Sequence, residues 1–299
     1  MRIEFAGTTE IVSPAILTYE LDGGFDPAPY IALGYTDFDV ICIGGGGGDG
    51  GNYFGQDFNT PGQYLRSYGG KGGGGGFHRI QGLLAALGAG VAINIGGLGA
   101  PGTNLYSNAT VEFDIPTTDG GPGGTTSFWD GACAASGGEG GSRVYSATLD
   151  LGSNTNGGAG GRGASSSPGG GASGAYSGDE STPAEPPSNG LYYAPEGIGE
   201  GGGGGAGGVG LYPVGGPTWT GRIEATPGGR GSYDPTLSVY GPGGPSVADV
   251  SASIDDGNTI PGYGGGAKAT PLNGLRTIWG QSGQANRPGV CVIRLTRVE

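Results

Sequence analysis

Chemistry needs groups that hold protons, metals or nucleophiles, and this 299-residue chain offers few. Its one histidine, His78, follows Phe77 and has no recognisable nucleophile motif nearby. A general base must have a group to serve, so His78 reads as structural. The three cysteines, Cys42, Cys133 and Cys291, form no CxxC pair, which predicts neither a disulfide framework nor a zinc site. Cys42 and Cys291 lie in the two most apolar segments and read as small core residues. Carboxylates are plentiful, but nothing singles out two of them as a glycosidase pair. GGGGGDGGN at residues 44–52 approaches the calcium-binding nonapeptide once, with Gly where a large apolar residue belongs. DDGN at residues 255–258 reads as a turn before it reads as a calcium loop. GxGxxG recurs only because glycine is abundant, no helix follows it, and there is no GxxxxGK[ST]. NAT at residues 108–110 is a glycosylation sequon, which matters only in a secreted chain. The expectation is no catalytic residue, no metal, no cofactor and no enzyme.

The chain does supply aromatic residues in polar loops. Residues 52–68 carry Tyr53, Phe54, Phe58, Tyr64 and Tyr68, and residues 175–195 carry Tyr176, Tyr192 and Tyr193 beside Asp179, Glu180 and Glu185. Tyr212 and Trp219 follow in residues 211–227, then Tyr233 and Tyr240. Tyr among Ser, Gly and Asn is the chemistry of adaptable recognition loops. Such rings either pack over the ends of a scaffold or meet a partner. Tyr192, Tyr193, Trp219, Tyr233 and Tyr240 are the candidates for receptor or partner contact.

Loops need something to hold them, and the only abundant material is glycine, 76 residues of it. Glycine and 21 prolines make up about a third of the chain, a composition that suggests disorder. Aromatics at 9% and charged residues at only 13% argue against a solvated linker. The glycines are clustered, in runs at residues 44–51, 69–76, 96–99, 120–124, 137–141, 157–163 and 197–210, with shorter ones beyond. Extended left-handed helices of three residues per turn have no internal hydrogen bonds. Their N–H and C=O groups point outward and must find partners. Side by side they satisfy one another, and only glycine permits the approach. Such a bundle demands a period of three, and Asp49 and Asn52, Pro122 and Thr125, Glu139 and Ser142, Ala159 and Arg162, and Ala206 and Val209 are each three apart. Ile198 and Glu200, two apart, break the register. Gly46, Gly74 and Gly203 then fall in the scaffold interior.

The apolar, β-branched stretches within residues 3–5, 11–19, 38–43 and 90–95 read as strands. LLAAL at residues 83–87 is at most one helical turn. The predicted fold is mainly β and irregular, with N- and C-terminal strands, a polyglycine II bundle, long loops and little helix. Its divisions are an N-terminal β segment for attachment or oligomer contact, residues 1–35, and a glycine-rich domain, residues 36–299, closed by a strand at 289–298. Phe38–Ile43 should lie beside that closing strand.

A net charge of −13 with 2 Lys and 11 Arg excludes a basic nucleic-acid face. No apolar run approaches the roughly 20 residues of a membrane helix, and the first 20 residues show no signal-peptide pattern.

The order of features resembles the glycine-rich minor tail proteins of tailed bacteriophages. An apolar strand runs into polyglycine in FDVICIGGGGGDGG at residues 38–51, a second block follows at residues 69–102, GGTTSFW comes at 123–129, and GVCVIRLTRV closes the chain. The resemblance covers about residues 35–299, and the Arg, Gly, Ala and Pro bias suggests a phage of an actinobacterium. It implies a virion protein of the tail tip or fibre, assembled in the host cytoplasm, with loops that touch the host. Its partners would be other tail proteins, a host envelope glycan or glycolipid, and further copies of itself, a trimer among the forms. Rival readings are an exported glycine-rich surface or wall protein, an ice-binding polyglycine bundle and a wall-degrading enzyme.

Overall fold

A computed structural model describes residues 14–57, 63–107, 111–113, 116–144, 146–148, 197–201, 203 and 288–297. It also describes short strands at 154–156, 175–177, 180–181, 192–193, 209–212, 220–223, 233–234, 239–240, 253–254 and 258–259. These residues are mainly strand and irregular chain. Their helix is limited to α1 (Ala28–Ala32) and a single 3-10 turn, Leu84–Ala86, where LLAAL stands.

The strands used below are β1 (Ala15–Tyr19), β2 (Gly23–Phe25), β3 (Asp37–Ile43), β4 (Tyr53–Asp57), β5 (Gln63–Ser67) and β6 (Phe77–Leu83). They continue with β7 (Val91–Asn94), β8 (Leu105–Ser107), β9 (Val111–Phe113), β10 (Thr126–Phe128) and β11 (Cys133–Ala135). Val290–Thr296 sits between β1 and β3 in a six-stranded sheet that continues through β6 to Ile198–Gly199 and Tyr192–Tyr193. Val290 pairs with Ile43 and Leu295 with Phe38, so the predicted closure is present. The strand in residues 90–95 is β7. A second sheet, β11-β10-β7-β2, packs over one face of the first.

Between the sheets lies the apolar core. Alternation along β3 sends Phe38, Val40 and Cys42 inward, the closing strand adds Cys291, Ile293 and Leu295, and Phe25, Ile93 and Phe128 face them. The ring centroids of Phe38 and Phe128 are 6.3 Å apart, and Trp129 meets Phe38 edge-on. Each such ring buries a large apolar surface, and a favourable pair adds about 0.5–1.5 kcal/mol.

Strands then continue into glycine. β3 enters residues 44–51, residues 69–76 enter β6, β7 leads to residues 96–105, residues 117–125 enter β10, and β11 leads to residues 136–144. The first run is bonded to the other four. The N–H groups of Gly44, Gly47 and Gly50 donate to the carbonyls of Gly76, Gly73 and Gly70. Those of Gly45, Gly48 and Gly51 donate to Gly124, Gly121 and Thr118. The carbonyls of Gly45, Gly48 and Gly51 accept from Gly138, Gly141 and Val144, and those of Gly46 and Asp49 from Gly99 and Gly102. Every partnership advances by three residues. A β-ladder repeats every two, so this is a different backbone lattice, with antiparallel and parallel neighbours alternating as the strands do.

Close approach explains the composition. A Cβ on Gly47 would overlap the backbone of Glu139, whereas a Cβ on Gly97 would meet nothing within 4 Å. Ordering a glycine costs about 0.5–1 kcal/mol more than ordering alanine, and one hydrogen bond returns about 1 kcal/mol net. The lattice therefore holds only if nearly every glycine is bonded.

Candidate functional site

Polar side chains of the lattice accept hydrogen bonds from the backbone of adjoining runs. Asn52 Oδ1 accepts from the Gly69 N–H at 2.8 Å, and Asp49 Oδ1 accepts from Gly72 at 3.3 Å. The spacing of three thus supplies acceptors to successive turns of the adjoining run. Asp49 Oδ2 also takes the Lys71 ammonium at 2.5 Å. Its carboxylate is thereby committed to the scaffold, although its motif approaches a calcium loop. Asp119 Oδ1 serves the Arg143 N–H, and Thr118 Oγ1 the Thr103 N–H, in the same manner. Among the described residues, no group of three or more His, Cys, Asp or Glu could hold a metal ion.

The thiols meet at the lattice end of the core. Cys42 lies directly across from Cys291 on one side and from His78 on the other. The Cys133 thiol donates to the His78 carbonyl at 3.0 Å, and His78 Nδ1 accepts from the Ala134 N–H at 3.1 Å. His78 thus ties two strands together. All three cysteines are fully buried. A hydrogen bond with Cys133 favours the Cys42 thiolate, but the bond to Cys291, burial and the charge of Cys291 outweigh it and push Cys42 up. Cys133 is also pushed up, first by its hydrogen bond with Cys42 and then by burial. Thiols held this way are protonated and poor nucleophiles.

The far end of the glycine runs carries a second construction. β4 follows residues 44–51 and β5 precedes residues 69–76, and the two pair antiparallel. With β8, Val209–Tyr212 and Thr220–Ile223 they form a five-stranded sheet. Tyr53 and Ser67, opposite one another in this sheet, are fully buried. Sequence reading took these segments as loops.

The predicted contact residues are distributed differently. Tyr192 and Tyr193 form an edge strand of the six-stranded sheet, paired with Gly199 and Ile198. Tyr233 is paired with Tyr240 in a separate two-stranded ladder. Trp219 lies outside the described residues. The four described tyrosines thus belong to two different sheets. The scaffold glycines Gly46, Gly74 and Gly203 are all buried. Gly46 accepts from Gly99 at 2.9 Å, and the Gly74 carbonyl lies where a Cβ on Gly201 would be. The register break at Ile198 also has its reason: Ile198 pairs with His78 as strand before the run begins, and Glu200 is buried just after it. The DDGN turn falls between the paired strands Ser253–Ile254 and Asn258–Thr259, with residues 255–257 outside the description.

A comparison with curated proteins gives no match. The family model of the glycine-rich domain matches residues 28–296, nearly the whole chain, from α1 to the end of the closing strand. Among the described residues, strand, glycine run and return strand alternate, and the chain belongs to the glycine-rich domain family.

Proposed function

We propose that this chain is a non-enzymatic structural protein of a tailed-phage virion, a minor tail protein at the tail tip or fibre. Its glycine runs are polyglycine II helices, and the segments they carry contribute to host attachment. One observation carries the reading: the runs bond to one another every third residue and join an apolar sandwich at one end to an aromatic-bearing sheet at the other. A backbone lattice is stiff and has no apolar surface of its own, which suits a spacer holding recognition elements away from an assembly base. The partners proposed are other tail proteins, further copies of the chain and a glycan or glycolipid of the cell envelope.

The test uses antibodies raised against the purified chain. Labelling confined to the tails of particles supports the reading, and labelling of cell envelopes without particles favours an exported surface protein instead. Particles carrying Tyr192→Ala, Tyr193→Ala and Trp219→Ala together should adsorb to cells at least tenfold less well. Unchanged adsorption by fully assembled particles would show these three residues to be scaffold.

A further inference from the structure

The five-stranded sheet at the far end has two chemically different faces. Residues directly opposite in a ladder share a face, and successive residues alternate. One face contains positions 53, 67, 105 and 209, which are Tyr, Ser, Leu and Val, with Tyr53 and Ser67 fully buried. On the other face, Phe54 is opposite Arg66 and Tyr106, Tyr64 is opposite Tyr212, and Gly210 links Arg66 to Arg222. Four aromatic and two arginine positions therefore share one face, with no acidic position in its register. In a chain of net charge −13, the strands of this sheet thus place two basic positions and no acidic one on that face.

We infer that this face binds an acidic polysaccharide, one whose sugars carry carboxylate or phosphate. The inference rests on the attachment role proposed above and names its ligand class. Aromatic residues suit the apolar C–H face of a sugar ring. Arginine forks match carboxylate and phosphate with two parallel hydrogen bonds. Whole-chain acidity suggests a neutral ligand, but exposed charges are screened beyond about 8 Å at physiological salt. The strand Glu180–Ser181 neighbours Thr220–Ile223, and the two arginine positions outnumber that one carboxylate.

The full chain is tested against immobilised hyaluronan, alginate and polygalacturonate, with dextran, mannan and fully methyl-esterified polygalacturonate as neutral counterparts. Binding to at least one acidic polymer should exceed binding to every neutral one by tenfold or more. Combined Arg66→Gln and Arg222→Gln should lower it at least tenfold. Tyr64→Phe should retain it and Tyr64→Ala should lose it, with circular dichroism showing all variants folded. If Tyr64→Ala does not fold, the arginine pair and Tyr64→Phe decide. No binding, equal or better binding of neutral polymers, or undiminished binding by the arginine variant overturns the inference. Tail-labelled particles whose chain binds none of the acidic polymers would sink this ligand and leave the tail reading standing. Absence of label from every particle would sink the tail reading whatever the polymers do.

Discussion

Cys42 and Cys133 show how far a single buried group can set the conditions for folding. Both thiols are held above their ordinary range in the folded chain, whereas an unfolded cysteine titrates near 8.5. Stability is therefore fully present below about pH 8.5 and falls as pH rises above it, by about 1.4 kcal/mol per pH unit for each thiol. Denaturant titrations between pH 8 and 10 should show this slope, and Cys133→Ala should remove about half of it. A flat profile would mean the thiols ionise equally well in both states. Asn52 makes the complementary point for a neutral group. Asn52→Ala deprives the buried Gly69 N–H of its acceptor and should cost about 1–3 kcal/mol, while Asn52→Asp keeps an acceptor and should cost less. Glycine positions divide just as sharply. Gly47→Ala forces a Cβ into the Glu139 backbone and should destabilise by about 1–3 kcal/mol or more, and Gly97→Ala, which meets open space, should leave the melting temperature nearly unchanged.

Each described glycine run has three lines of residues, and in residues 117–125 their uses differ. In residues 117–125, Gly120 and Gly123 donate to residues 141 and 138, and Gly121 and Gly124 donate to residues 100 and 97. The third line, Asp119, Pro122 and Thr125, is exposed. Proline has no N–H to lose there, and it removes a donor through which another glycine run could add to the lattice, as prolines do on exposed strand edges. Pro101 occupies an exposed line of residues 96–105, with Leu98 and Asn104. Replacing Pro101 and Pro122 together by Gly should raise self-association, seen as faster-sedimenting species in analytical ultracentrifugation. A monodisperse variant identical to the parent would show that the prolines guard nothing. The element scale is also where sequence reading succeeded and failed. FDVICI and GVCVIRLTRV are legible because β-branched runs bounded by glycine have few alternatives. The spacing of three is legible because only exposed or capping positions admit a side chain. β4 and β5 were not legible as strands. YFGQD and QYLRS have weak strand propensity, and their pairing depends on partners brought alongside by the glycine runs. The same gap hid the aromatic face, since Phe54, Tyr64, Tyr106 and Tyr212 come together only through register. Tyr192 and Tyr193 are neighbours in sequence, and adjacent residues in a strand belong to opposite faces.

At the scale of the whole molecule, the six-stranded sheet and the glycine lattice depend on one another. β3 is a sheet strand that becomes the most connected glycine run, so Gly44 inherits its position from Ile43 and passes order on to Tyr53. Of the strands in this sheet, an interior one is made after all the others. Val290–Thr296 lies between β1 and β3, and Val40 pairs with Ile293. During synthesis, β1 and β3 emerge early and must wait for most of the chain to follow before their shared neighbour exists. Closing so long a loop carries an entropic cost, and contacts this distant in sequence make folding slow. A chain truncated after residue 287 should stay uncooperative in thermal melts, and a synthetic peptide of residues 288–299 added in trans should restore a transition. A truncated chain that melts cooperatively alone would show that the strand is dispensable. Until that strand arrives the nascent chain keeps an open, apolar gap in its principal sheet. The ribosome's pace and any holding chaperone thus bear on the yield of this protein as much as its finished stability does.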